Sequence, residues 1–236
     1  MLHTEIRDSI LFRTDDLNGA TSEILLRTGM KAKLKKVVEC NKETIDEKLN
    51  SFLFSNEYLD YKNIIIVGTG FSRKNADRLD EIIANDGLKV IYRDHHKDSL
   101  DLSKYMWGRI LIWDRNGNEI SSSKNLFREF ISTRNPKYIR LSILVDLVNA
   151  SVTSHKPEED IEGSKTIEKL FELSGSASKF VEDMSKKITD NDAFFNEADI
   201  IAAIEAEKRA EEERQAKIEE MRELRRKNEK RRNRGF

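Results

Sequence analysis

Apolar positions fall into two alternating rhythms along the first part of this chain. Short apolar runs predict strands at Ser9–Phe12, at 31–39 through Leu34, Val37 and Val38, at Asn63–Val67, at Leu88–Arg93 and at Arg109–Trp113. Asn63–Val67 is apolar almost throughout, as expected of a parallel strand covered on both faces. Between these runs, apolar residues recur at helical spacing. They predict helices over 20–27 (Ala20, Ile24, Leu25), 44–54 (Ile45, Leu49, Phe52) and 72–84 (Ala76, Leu79, Ile82, Ile83). Strands alternating with helices imply a parallel, doubly wound sheet. The turn sequence Asp114-Arg115-Asn116-Gly117 closes the last strand. Helices are then predicted over 122–132 and 136–149, with Pro136 in the first turn of the second.

Beyond this point the pattern changes. Residues 151–162 are polar, contain Pro157 and read as a linker; helices follow over 164–174, 176–188 and from 194 almost to the end. From Ala202 the last helix is mostly Ala, Glu, Lys and Arg, with Ile204, Ile218, Met221 and Leu224 as its sparse apolar residues. Ile204 and Ile218 are two heptads apart with Glu211 midway, so a coiled coil is only weakly specified. A solvated charged helix explains the same residues. The predicted fold class is α/β: a parallel-sheet domain over 1–152, a helical extension over 153–193 and a long charged helix over 194–236.

Composition narrows the function classes. Charged residues make up 36% of the chain while the net charge is only -1; they concentrate toward the C-terminus, so the average hides a composition shift. One stretch, Arg222–Arg234, carries eight Lys/Arg against Glu223 and Glu229. Arg225, Arg226, Lys227, Arg231 and Arg232 form a basic tip able to neutralise nucleic-acid phosphates or an acidic protein face. The same residues also complement a helix C-terminus, a purely structural role. The single cysteine, Cys40, excludes an internal disulfide framework and fits a reducing compartment. No apolar run reaches the roughly 18 residues of a membrane span, and residues 1–8 lack the apolar core of a signal peptide. The expected location is the cytoplasm, with no membrane partner.

Candidate chemistry centres on Asp94-His95-His96, which holds two of the four histidines at a predicted strand end. In open α/β sheets, ligands gather at the carboxyl ends of strands. Carboxylate oxygen and imidazole nitrogen together suit Mn, Fe or Zn. Gly68-Thr69-Gly70, at another strand end, lacks the third glycine of the dinucleotide fingerprint and reads equally as a tight turn. Trp107 and Trp113 could stack on bases, although aromatic residues so placed are more often core.

These residues resemble the DHH phosphoesterase superfamily, in particular its oligoribonuclease branch related to RecJ exonucleases. The resemblance runs from Phe12-Arg13-Thr14-Asp15-Asp16-Leu17-Asn18-Gly19 through strand 63–67 and Arg78-Leu79-Asp80-Glu81 to Asp94-His95-His96-Lys97. It continues through Trp107-Gly108, Leu170-Phe171-Glu172-Leu173 and Phe194-Phe195. What the resemblance implies is a DHH-like domain that clamps a phosphodiester between two divalent ions, usually manganese, set about 3.5–4 Å apart. It places metal ligands at Asp16, Asp94 and His95, with Asn18 and Asn149 at two further ligand positions and His96 assisting at the phosphate.

Several ligand positions are altered. The family's first histidine falls on Thr14, its second aspartate on Asn18, its bridging aspartate on Gly68 and its last aspartate on or near Asn149. A glycine- and histidine-containing substrate-binding domain, which follows the connector in relatives, has no counterpart motif here. The resemblance therefore implies a degenerate, catalytically impaired phosphoesterase-like protein with at most a single manganese site. It would act by binding nucleic acid, a nucleotide or a protein partner, or by self-association through helix 194–234. The alternative is an active metal-dependent phosphodiesterase on short oligonucleotides or dinucleotides.

Overall fold

The computed structural model describes residues 6–131, 138–190 and 193–232. Five parallel strands form one sheet: β1 (Ser9–Thr14), β2 (Leu34–Cys40), β3 (Asn63–Val67), β4 (Lys89–Asp94) and β5 (Gly108–Ile110), ordered β2-β1-β3-β4-β5. The chain reverses its direction of travel between β1 and β3, the topological switch point at which such sheets bind ligands. Ile10 pairs with Ile64, and Ile64 with Val90, so the three central strands run in register. Every residue of β1 and β3 is buried.

Side chains alternate across the sheet. Ile10, Phe12, Ile64, Ile66 and Tyr92 share one core with α2 (Ile45–Phe54) and α3 (Arg73–Asp86), through Ile45, Leu49, Phe52, Ala76, Leu79 and Ile82. The opposite layer contains α1 (Leu17–Ile24), α4 (Ser122–Phe130) and α5 (Ile139–Val152), which pack on one another. After a single turn at Glu158–Asp160, α6 (Ile161–Ser174) packs on α5, and α7 (Ala177–Thr189) on α1. The parallel α/β class followed by helices is thus observed.

Several predicted boundaries shift for local reasons. Helix α1 starts at Leu17 because the Asp16 carboxylate accepts the Gly19 amide at 2.7 Å, and it widens into a π-turn at Leu25–Gly29. Strand β5 has only three residues; the rest of the predicted strand peels away, with a single antiparallel bridge between Trp113 and Glu119. The predicted linker is mostly structured, since α5 runs to Val152 and α6 begins at Ile161. The predicted helix start at Pro136 lies outside the described residues.

Helix α8 (Glu197–Arg232) belongs to a second compact unit that begins at Phe195. Its start is a reciprocal cap: Asn196 Oδ1 accepts the Asp199 amide at 2.8 Å, and Asp199 Oδ2 accepts the Asn196 amide at 2.9 Å. Ion pairs such as Arg209–Glu205 and Arg222–Glu219 lie along its exposed surface. Ile218, Met221 and Leu224 are also exposed.

Candidate functional site

Register brings three strand ends side by side. Arg13 pairs with Val67 and Val67 with Arg93, so Thr14, Gly68 and Asp94 follow one another across β1, β3 and β4. Gly68 has a positive φ of 82°, and a Cβ there would lie 2.9 Å from Thr14 Oγ1 and 3.6 Å from Asn18 Nδ2. An L-residue at this position meets both backbone strain and a close neighbour. Position 68 is therefore shaped for glycine.

Asp94 is fully buried and accepts four hydrogen bonds. Its Oδ1 takes the His95 amide at 2.8 Å and lies 2.8 Å from His96 Nδ1; its Oδ2 takes Tyr92 Oη at 3.1 Å and Ser99 Oγ at 2.5 Å. Gly70 makes room for this, since a Cβ there would sit 2.3 Å from Ser99 Oγ. Burial resists ionisation of Asp94, but the hydrogen bonds from His95, His96 and Ser99 outweigh it and hold the carboxyl below its ordinary range. Burial, and then the Asp94 charge, push the Tyr92 phenol above its usual range.

The two imidazoles are steered differently. The hydrogen bond to Asp94 raises His96 above the ordinary imidazole value against the opposing effect of burial; the charges of Asp94, Asp98 and Asp16 add to it. With Nδ1 committed to Asp94, the Nε2 of His96 is left for other chemistry. His95 Nδ1 lies 2.8 Å from Ser122 Oγ at the start of α4, and the two rings are 4.0 Å apart between centroids. Both histidines, with Lys97, Asp98, Ile112, Glu119, Ile120, Val152 and Thr153, line a cleft of about 410 Å³. That volume lies within the range of small-molecule sites. Lys97 Nζ sits 5.2 Å from the centre of the exposed Trp113 ring.

Asp94, His95 and His96 each offer a ligand atom within 4.8 Å of the others, so this trio could hold a metal ion. A two-ion set is not matched by the residues present. Asn18 Oδ1 accepts the Ser123 amide at 3.0 Å, Asn149 Oδ1 accepts the Ser121 amide at 2.7 Å, and Gly68 offers no side chain. Asp16 is exposed, and its Oδ1 is engaged by the Gly19 amide and by Thr14 Oγ1 at 2.7 Å. Arg225 is exposed on α8; the side chains of Arg226, Lys227, Arg231 and Arg232 lie outside the described residues.

Three contributors escape a sequence reading. Ser122, at the start of the predicted helix over 122–132, and Glu119 reach His95 and the cleft with no local signal that ties them to it, and Ser99 reaches back five residues to Asp94. Trp107 belongs to an aromatic stack, 4.9 Å from Tyr105 and 6.1 Å from Phe71 between ring centroids.

Among solved structures, an uncharacterized protein from Helicobacter pylori G27 matches with a TM-score of 0.61 at 14% identity, over 84% of this chain and 60% of its own. The exonuclease RecJ bound to manganese gives a TM-score of 0.43 at 15% identity, over 91% of this chain and 63% of its own. This chain therefore spans less than two thirds of the length of either. The first likeness is one of fold. No protein-family profile and no curated protein matches the sequence. Among the described residues, no helix is long and apolar enough to cross a membrane.

Proposed function

We propose that this chain is a DHH-like phosphoesterase relative that holds a phosphorylated ligand, a nucleotide or the end of a nucleic-acid strand, in the cleft beside β4. The observation that carries the proposal is the pair of oriented imidazoles: His96 held by Asp94, and His95 held by Ser122, next to Lys97. Two ring nitrogens and an ammonium group fit the oxygens of a phosphate. A divalent ion on Asp94, His95 and His96, manganese by the family resemblance, would take the place of the direct imidazole contacts and supply Lewis-acid polarisation of a phosphoryl oxygen. The two-ion reaction of the family is absent in this reading, because Asn18 and Asn149 serve helix α4 instead. By itself, the basic end of α8, through Arg225, Arg226, Lys227, Arg231 and Arg232, is able to give a salt-dependent contact with nucleic acid.

One observation favours the enzymatic alternative. A carboxylate on Nδ1 of a half-exposed histidine is the arrangement of a general base. Fluorescence polarisation with a labelled RNA dinucleotide tests the binding reading. Affinity is expected to drop at least tenfold in His95→Ala and Lys97→Glu. Equal affinity in the wild type and both variants would refute it.

A further inference from the structure

The cleft contains a carboxylate that the proposed phosphate site does not use. Of the two acidic residues in its lining, Asp98 is engaged in an ion pair with Lys42, which leaves Glu119. Glu119 is fixed from three directions. Its backbone bridges to Trp113, its carbonyl accepts Asn149 Nδ2 at 3.4 Å, and its Oε2 accepts both the Ser154 amide at 3.0 Å and Ser154 Oγ at 2.6 Å. Among the described residues, Oε1 accepts no hydrogen bond.

The carboxylate is also held ionised. The two Ser154 hydrogen bonds lower its pKa, and the charges of Lys97 and His95 reinforce them. A fixed acceptor of this kind costs no reorganisation when a ligand arrives. It also penalises a ligand that offers it nothing. A phosphate-bearing molecule without a nearby donor would bring like charge toward Glu119 and strip water from Oε1 without replacement. Sites built around a hydrogen-bonding group reject analogues that lack the matching one far more strongly than apolar walls reject a missing methylene. Here Ile112, Ile120 and Val152 supply the apolar wall, and Glu119 supplies the polar discrimination.

We propose that Glu119 is a specificity-determining residue whose Oε1 accepts a hydrogen bond from a nitrogen donor on the phosphorylated ligand. The site then selects phosphate esters that carry an amino or amide group over those that do not. This rests on the binding of phosphate at His95, His96 and Lys97.

Calorimetric titration of the full chain with adenosine 5′-monophosphate, purine riboside 5′-monophosphate and inorganic phosphate tests it, because the two nucleotides differ only by an exocyclic amino group and the second has no N–H donor on its base. The wild type is expected to favour the adenosine nucleotide by about tenfold, the scale of one charged hydrogen bond. Glu119→Ala should bring that ratio close to one without weakening inorganic phosphate. Glu119→Gln, which keeps the acceptor and its Ser154 contact but loses the charge, should retain part of the preference. A wild type that does not discriminate, or a ratio unchanged in Glu119→Ala, overturns the role of Glu119 while leaving the phosphate site standing. Absence of binding by all three ligands overturns the phosphate site and this inference together.

Discussion

The side-chain oxygen of Asn149 accepts the backbone amide of Ser121 at 2.7 Å, at the N-cap of α4. Asn18 does the same for Ser123 at 3.0 Å, so two asparagines from α5 and α1 fasten one helix start. Both are buried, as are Ser121, Ser122 and Ser123. Removing either acceptor strands a buried amide, at a cost of about 1–3 kcal/mol. Asn149→Ala and Asn18→Ala should each lower unfolding free energy by about 2 kcal/mol. Asn18→Asp, which keeps an acceptor at a helix N-terminus, should cost less than Asn18→Ala, whereas Asn149→Asp sets a buried carboxylate oxygen against the Glu119 carbonyl that Asn149 Nδ2 now meets and should regain little. Urea denaturation of the four variants measures the difference; equal losses in Asn18→Ala and Asn18→Asp would contradict it.

Arg13 is fully buried within β1, with Nε 2.7 Å from Glu23 and Nη2 2.9 Å from Glu39. Glu23 is itself buried, while the Glu39 side chain is 45% exposed. Glu23→Ala leaves an undercompensated buried guanidinium and should cost about 3 kcal/mol. Arg13→Met removes the buried charge itself and should cost less than Glu23→Ala. Glu39→Ala, at the partly solvated end, should cost under about 1 kcal/mol. Chemical denaturation that ranked Glu39 above Glu23 would reverse this picture.

Burial pushes the Cys40 thiol up to about 12, against the smaller opposing charges of Lys48 and Arg13. The folded state thus keeps its proton at alkaline pH where the unfolded thiol has lost it. By linkage, stability falls as pH rises from the unfolded value of about 8.5 toward the folded value. Cys40→Ala should flatten the decline in Tm between pH 8 and 10. Native Cys40 should also resist a thiol reagent at pH 8 and react only on unfolding. Rapid modification of the folded chain would refute the burial argument.

Helix α8 carries its stability in local ion pairs rather than in an apolar face, with Glu205–Arg209, Glu211–Arg214 and Glu219–Arg222 spaced along it. Its length is well beyond the roughly 12–15 residues below which isolated helices are marginal. A peptide covering 197–232 should be substantially helical at low salt and lose helicity as added salt screens the pairs. Circular dichroism that did not change with salt would point instead to self-association through Ile218, Met221 and Leu224.

The strands and their parallel class were legible because short apolar runs alternate with helical spacing and β3 is apolar almost throughout. Strand β5 was overextended: Leu111 and Trp113 are apolar yet 42% and 48% exposed, so composition alone mimicked a longer strand. The linker read over 151–162 is shorter in the structure, residues 153–157 and one turn at Glu158–Asp160, because its polar ends extend α5 and α6. Around the site, Asp94-His95-His96 announced itself because its residues are adjacent in sequence. Ser122 is 27 positions from its partner His95, and Ser121 is 28 from Asn149, so only folding brings either pair together. The part-buried pairing of Arg93 with Glu129, 36 positions away, was hidden for the same reason.

The measurement that tests the account most directly is manganese-dependent hydrolysis of a labelled RNA dinucleotide and pentanucleotide, with His95→Ala as the control. The account predicts binding by the wild type without turnover above the control. Turnover that manganese supports and His95→Ala abolishes would contradict it and establish a working phosphodiesterase at the Asp94-His95-His96 site.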